Sequence, residues 1–299
     1  MVRLLVLIGL TLISLSDTSA AASRRVALVV GVGEYAHAPA LANTLNDARD
    51  VAAALTRLQF DVDLVINPDR AALEKAVRRL GQRSRGADAS LFYFSGHALE
   101  VQRVNWLLPV SAEVKSDDDL RFEALDLTAV LEQIESKAHV SLLFLDACRE
   151  DPFKQRFGLA RGITGAGLAP AHASASGTYI VYAAAPEMAA EDGSGAHSPF
   201  TAALLRFIET PGLEVRQMLS RVRGDVEAQT DGKQIPWESS SLLGDFYFDP
   251  KTTGERVIRE INGPNPQVDL DALFWESVRN SKNPKDFSAY LLKIGRAHV

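Results

Sequence analysis

Two residues of this chain have the chemistry for attack on an amide. One is Cys148, the single cysteine, in "LFLDACRED"; the other is His97, in "FSGHALE". A thiol attacks as its thiolate, and an imidazole within reach can take the thiol proton and later give one to the leaving amine. Gly96, just before the histidine, leaves room for close backbone approach, and its N–H together with that of Cys148 can hold a tetrahedral oxyanion. The competing reading of a lone cysteine is a buried, inert thiol that packs like a small hydrophobe. The two readings differ in whether the chain brings His97 to Cys148.

The elements around them suggest that it does. "RRVALVVGV", "FDVDLVI", "ASLFYFSG", "HVSLLFLDA" and "GTYIVYAAA" are β-branched or continuous apolar runs of strand length, and "SSLLGDFYF" reads as a sixth strand. Between them, "LNDARDVAAALTRL", "PDRAALEKAVRRLGQ", "LDLTAVLEQIES", "SPFTAALLRFIET" and "LEVRQMLSRVRGDVEAQ" carry helical spacing. Asn46 or Asp47 is placed to cap the first helix. "VNWLLPV" fits a short hairpin. Alternating strands and helices predict an α/β fold with a mostly parallel six-stranded sheet flanked by helices. Such sheets bind ligands beyond the carboxyl ends of their strands. His97 stands just past the third core strand and Cys148 just past the fourth, so adjacent strands would bring them to one rim.

Composition narrows the alternatives. The 299 residues are 46% hydrophobic, enough for a sizeable core without disulfides, and the net charge of −6 argues against a nucleic-acid surface. The first 22 residues pair Arg3 with an apolar run and a small-residue stretch, the pattern of a cleaved secretory signal. An exported, periplasmic or secreted protein with no stable membrane association follows, and a leftover cysteine in such a chain suggests a reactive thiol or an intermolecular bridge. His37, His139, His172 and His197 lack metal-ligand spacing, and one cysteine cannot build a zinc thiolate site. His197 falls in "DGSGAHSPF", a substrate-side loop. "VVGVGEY" has two glycines of a dinucleotide fingerprint but not the third. No G-x-S-x-G elbow is present. Trp106 and Trp237 read as packing residues, with Trp237 and Glu238 near the cleft edge.

From Arg25 to Asp249, "LNDARD", "YFSGHA", "LFLDACR", "SPFTAALL" and "IPWESSSLL" make the chain resemble the caspase-like cysteine peptidases, in their bacterial metacaspase and paracaspase branch. The histidine-to-cysteine spacing of about 50 residues is that of caspases. The resemblance implies the caspase–haemoglobinase fold over residues 24–249, a His97–Cys148 dyad and a protein or peptide substrate. In this branch Asp47, Ser95 and Asp146 match an acidic pocket that selects arginine or lysine, two carboxylates facing one cation. A helix cap is the competing reading for Asp47, and a structural strand-end carboxylate for Asp146. Asp146 and Glu150 stand where caspases proper have Gln and Gly, and Ala98 where the family commonly has Gly. No cofactor is implied; Asp117, Asp118 and Asp119 offer oxygens of the kind calcium favours, with a solvated loop as the competing reading. The glycine-rich stretch from Arg149 to Ser176 carries Arg149, Lys154, Arg156 and Arg161, which an enzyme with this specificity could cut in itself. Residues 250–299 read as a linker and short helices. The rival function is a catalytically silent caspase-like module that binds a protein or peptide partner.

Overall fold

The computed structural model describes residues 23–148, 168–169, 171, 175–186, 188 and 190–250. The signal segment 1–22, the basic residues Arg149, Lys154, Arg156 and Arg161, and the C-terminal segment 251–299 lie outside the described residues. Among the described residues no helix is long and apolar enough to cross a membrane.

In chain order the elements are β1 (Arg25–Gly31), α1 (Thr44–Arg57), β2 (Phe60–Ile66), α2 (Arg70–Arg83), β3 (Ala89–Val101) and β4 (Val104–Leu107). Then follow the short helix α3 (Leu120–Glu123), β5 (Leu125–Asp126), α4 (Leu127–Ile134), β6 (Val140–Cys148), β7 (Thr178–Tyr182), α5 (Pro199–Phe207), α6 (Val215–Gln229) and β8 (Trp237–Ser240). The sheet runs β2-β1-β3-β6-β7-β8, with β4 and β5 branching from β3. All pairings along that path are parallel except β7 with β8.

The apolar runs are continuous because both faces of the sheet are covered. Val26, Leu28, Val30, Phe92, Phe94, Leu143 and Leu145 belong to one buried cluster, with Leu73, Val77 and Leu80 of α2 and Ile134 of α4. The alternate residues Ala27, Val29, Leu91, Tyr93, Leu142 and Phe144 belong to the other, with Val51 and Leu55 of α1, Phe200 of α5 and Leu219 of α6. Residues of the central strands β1, β3 and β6 therefore lie buried on either face, and the period-2 polar alternation of a half-exposed strand is lost there.

Three boundaries differ from the sequence expectation, each for a physical reason. First, β3 does not stop at Gly96. It leaves β1 at Gly31↔Ser95, stays beside β6 to His97↔Cys148, and then pairs antiparallel with β4 from Ala98↔Leu107. A two-residue turn with Gln102 and Arg103 both at positive φ closes this hairpin. His97 is thus inside a strand, at the handover from parallel to antiparallel pairing. Second, α1 starts at Thr44 with Asn43 as N-cap, so neither Asn46 nor Asp47 caps it; Asp47 sits in the first turn and is 0% exposed. Third, the last strand is Trp237–Ser240 beside β7, and Tyr247 makes only an isolated bridge with Glu214.

The two glycines of "VVGVGEY" let α1 come close to the end of β1. A Cβ on Gly31 would lie 2.6 Å from Ala48 Cβ and 2.8 Å from the Thr44 carbonyl oxygen; on Gly33 it would lie 2.7 Å from Thr44 Oγ1. Backbone cannot give way as a flexible side chain can. Gly31→Ala should therefore push α1 off the sheet and cost about 1–3 kcal/mol, read as a lower urea midpoint with an unchanged slope.

Candidate active site

The end of the β3–β6 seam gathers the chemistry-bearing residues. Ser95 is registered with Asp146, Gly96 with Ala147 and His97 with Cys148. Directly paired residues of parallel strands share a face of the sheet and stand about 5 Å apart. Ser95, His97 and Asp146 fall by alternation on the face covered by α1 and α5, because Tyr93 and Phe144 belong to the cluster with those helices, and Ala147 falls on the other.

His97 is held at three points. Its backbone N–H donates to the Tyr35 hydroxyl at 2.7 Å. Its ring stacks against Tyr35 with centroids 4.6 Å apart. Its Nε2 lies 2.8 Å from the Pro39 carbonyl oxygen. A carbonyl only accepts, so Nε2 carries the hydrogen and the neutral ring keeps its lone pair on Nδ1. Nδ1 is buried and has no hydrogen-bond partner among the described residues. Burial pushes the His97 pKa down, opposed in part by the Pro39 hydrogen bond and the Asp192 charge. The result is a neutral imidazole with its basic nitrogen unspent, at the register position opposite Cys148.

Sequence reasoning missed Tyr35 and Pro39. Both follow β1, the strand beside β3, and topology could have pointed to them. The role expected of Gly96 needs correction. Ser95 and His97 direct their carbonyls to the β1–β4 side, where Val32 and Leu108 donate to them at 2.9 and 3.0 Å. Strand alternation therefore turns the N–H of Gly96 toward β6, inside the parallel ladder. The Leu145 carbonyl faces β7, accepting from Ala183 at 2.9 Å, so the N–H of Cys148 likewise turns into the seam. What demands glycine at 96 is packing: a Cβ there would lie 2.7 Å from the Tyr35 hydroxyl and 2.9 Å from the Phe94 ring.

Beside the histidine lie two buried carboxylates. Asp146 Oδ2 accepts from Ser198 Oγ at 2.5 Å and from Thr201 Oγ1 at 2.6 Å, with Tyr93 Oη at 3.4 Å. Ser198 explains "SPFT": its hydroxyl oxygen also accepts from the Thr201 N–H at 2.9 Å, capping α5, with Pro199 at the first helical position. Asp47 Oδ1 accepts from the Ser198 N–H at 3.3 Å and lies 2.9 Å from His197 Nδ1; Ser95 Oγ donates to its Oδ2 at 3.4 Å. The structure thus brings Asp47, Ser95 and Asp146 together. Burial, then the neighbouring Asp146 charge, pushes Asp47 up to about 9; burial, with the Asp192 charge adding to it, pushes Asp146 up to about 6. The hydroxyl and amide donors oppose both shifts without cancelling them.

Asp192 is a further residue that sequence reasoning missed. Its Oδ2 accepts from the Ala42 and Asn43 N–H groups at 2.8 and 3.4 Å, and Asn43 Nδ2 returns a bond to its carbonyl at 2.6 Å. Its Oδ1 is buried with no partner among the described residues. Its charge acts on Asp47, Asp146 and His97 alike. It lies in a loop without periodicity, and only folding sets it against the start of α1.

Other sequence candidates resolve into packing or capping. Trp237 stacks on Tyr182 at 5.5 Å, and Glu238 accepts from Tyr179 Oη at 2.6 Å. Of the aspartate triplet, Asp119 accepts from the Lys115 and Ser116 N–H groups at 2.8 and 2.7 Å in a capping box, which pulls its pKa down. Among the described residues no group of three His, Cys, Asp or Glu side chains could hold a metal ion.

The tie between Tyr35 and Gly96 makes a test. Tyr35→Phe strands the His97 N–H and should cost about 1–3 kcal/mol. Gly96→Ala should cost less in the Tyr35→Phe background than alone, because the atom its methyl meets first is gone; urea unfolding of the four proteins in the cycle measures the coupling.

Comparison with known proteins agrees with this fold. The caspase domain profile matches residues 24–247. Among solved structures, caspase-1 from Spodoptera frugiperda superposes with a TM-score of 0.57 at 16% identity, over 78% of this chain and 93% of that one, a likeness of fold. No curated protein sequence matches.

Proposed function

The chain belongs to the caspase-domain family, and we propose that it is an endopeptidase that works with a His97–Cys148 pair and cuts after arginine or lysine. A cysteine-type peptidase acting on protein is what the family itself carries. The finer reading rests on one observation: His97, locked as its Nε2–H tautomer by Pro39, leaves Nδ1 without a described partner at the register position of the single cysteine.

In this mechanism the Cys148 thiol gives its proton to Nδ1 and the sulfur attacks the substrate carbonyl. The imidazolium is stabilised by the Pro39 carbonyl on Nε2–H and by the Asp192 charge. It then protonates the leaving amine, and a thioester remains for water to cleave. Because Gly96 and Cys148 commit their N–H groups to the seam, we assign an oxyanion donor to Ala98. It is the next β3 residue whose N–H faces β6, and the first past the end of their register. Its methyl departs from the glycine common in the family, but the N–H is the same.

The specificity follows from the charge balance. Asp47 and Asp146 are buried together and resist ionising together. A guanidinium or ammonium brought between them would offset the mutual repulsion and the lost hydration. An aspartyl side chain would add a further charge of the same sign. We propose in addition that residues 1–22 direct export and that calcium is not required, since Asp119 is engaged in capping.

Fluorogenic peptides differing only in the residue before the scissile bond test this reading. Arginyl and lysyl substrates should be cleaved and aspartyl substrates should not. Cys148→Ala and His97→Ala should each lose at least a thousandfold in kcat/KM, and Asp146→Asn should lose more on arginyl than on uncharged substrates. Since the His97 pKa is depressed, its basic form persists to lower pH, and the acid limb of kcat/KM that it controls should fall below the usual value near 6.5. Equal, negligible turnover by wild type and both dyad variants would favour the silent binding module.

A further inference from the structure

The loop from Gly33 to Leu41 carries both supports of His97, Tyr35 and Pro39. It is closed at its base by the Leu41 N–H, which donates to the Gly33 carbonyl at 3.0 Å. Beside that base stands Asn67, the first residue after β2. Its Oδ1 accepts from the Gly33 N–H at 2.9 Å and from the Glu34 N–H at 3.2 Å.

The register explains why a side chain does this. β1 and β2 run parallel as far as Gly31↔Ile66, and the Asn67 N–H donates to the Gly31 carbonyl at 2.8 Å. One more rung of the ladder would give the Gly33 N–H to the Asn67 carbonyl. Asn67 instead has a φ of 46°, in the left-handed region that asparagine enters more readily than most residues. Its backbone leaves the ladder, and its side-chain oxygen takes the Gly33 N–H that its carbonyl would have taken. The Glu34 N–H shares the same oxygen. β2 can then end while the chain leaving β1 stays anchored.

The residues after Asn67 tie the same corner to the rest of the histidine's surroundings. The Pro68 carbonyl accepts from the Val110 N–H at 2.9 Å, and the Val110 carbonyl accepts from the Ala36 N–H at 2.9 Å. Leu108 donates its N–H to the His97 carbonyl at 3.0 Å and accepts from the Tyr35 hydroxyl at 3.3 Å. Asp69 caps α2 by accepting from the Ala72 N–H at 2.7 Å. Asn67 thus stands beside a fixed helix start. Hydrogen bonds lead from this corner to His97 by two routes, the base of the Gly33–Leu41 loop and the Pro68–Val110 contact.

We propose that Asn67 is a positioning residue for His97. Its side-chain oxygen sets the turn at Gly33 and Glu34 that brings the Tyr35 hydroxyl to the His97 backbone N–H and the Pro39 carbonyl to Nε2. This rests on the reading of His97 as the base of the reaction. The competing role is a turn that only ends β2. The two roles differ in what they require: a turn needs the positive φ, whereas positioning needs the acceptor oxygen.

Two variants of the full chain separate them. Asn67→Gly keeps the φ without strain and removes the acceptor; Asn67→Asp keeps an oxygen at the same place. Nitrogen-15 spectra of the His97 ring near neutral pH, urea unfolding, and kcat and KM on an arginyl peptide are measured for both and for wild type. In Asn67→Gly the His97 resonances should move toward a mixture of the two neutral tautomers, as Pro39 loosens its hold on Nε2–H. Its kcat should fall about tenfold to a hundredfold with KM little changed. Asn67→Asp should match wild type in both readings. Wild-type resonances or wild-type kcat in Asn67→Gly, or an equal change in both variants, would overturn the assignment. So would an Asn67→Gly chain that fails to fold, which would place the role of the oxygen in the fold rather than at His97. If wild type cleaves no arginyl peptide, the peptidase reading fails, and the ring spectra still decide whether Asn67 positions His97.

Discussion

A slip of one residue between β3 and β6 would move every side chain on one strand to the opposite face of the sheet. The register joins Ser95 to Asp146 and His97 to Cys148, so it sets both proposed halves of the site at once, the pair for the chemistry and the cavity for the charge. It is secured upstream by buried apolar partners such as Leu91 with Leu142 and Tyr93 with Phe144. The pairing is described as far as His97↔Cys148, and beyond His97 β3 turns back through its hairpin with β4. Chemistry placed there gains rigidity from the sheet and access from its edge.

The supports of His97 come from the other neighbour of β3. Tyr35 and Pro39 lie in the segment that leaves β1, and between them they hold the backbone N–H and Nε2 of the histidine. Three consecutive positions of the sheet, β1, β3 and β6, thus contribute in sequence the clamp, the histidine and the cysteine. On the face that α1 covers, Asp47 and Asp146 bring two carboxyl groups together in a buried site. Burying two carboxyl groups together works against the fold unless they stay protonated or meet a cation.

Much of this was legible from residue order. The mostly parallel sheet between helices, and the placing of His97 and Cys148 at strand ends, follow from apolar runs that end in polar residues; the order of the strands does not, and Ser95 and Asp146 came from the family likeness. The family likeness supplied Asp47, which local sequence alone leaves equal to a helix cap. Other features were not legible, because they depend on contacts between distant segments. Asp192 and His197 lie in a loop whose position is set by Asn43 and Gln234, some 150 and 40 residues away in the chain. The role of Gly96 was misread because a glycine next to a histidine fits both an oxyanion donor and a tight packing contact. Only the approach of Tyr35 and Phe94 separates the two. The extension of β3 past His97 was hidden by its weakly apolar sequence, "HALEV", which the pairing with β4 overrides.

The central proposal is that the His97 Nδ1 is left bare for Cys148 because Pro39 holds the hydrogen on Nε2. Nitrogen-15 spectra of the imidazole, recorded on the full chain near neutral pH before and after alkylation of Cys148, test it directly. The account predicts a neutral ring protonated at Nε2, with the Nδ1 resonance moving on alkylation and the Nε2 resonance holding. A ring protonated at Nδ1 with Nε2 bare, or an Nδ1 resonance indifferent to the state of the cysteine, would contradict it.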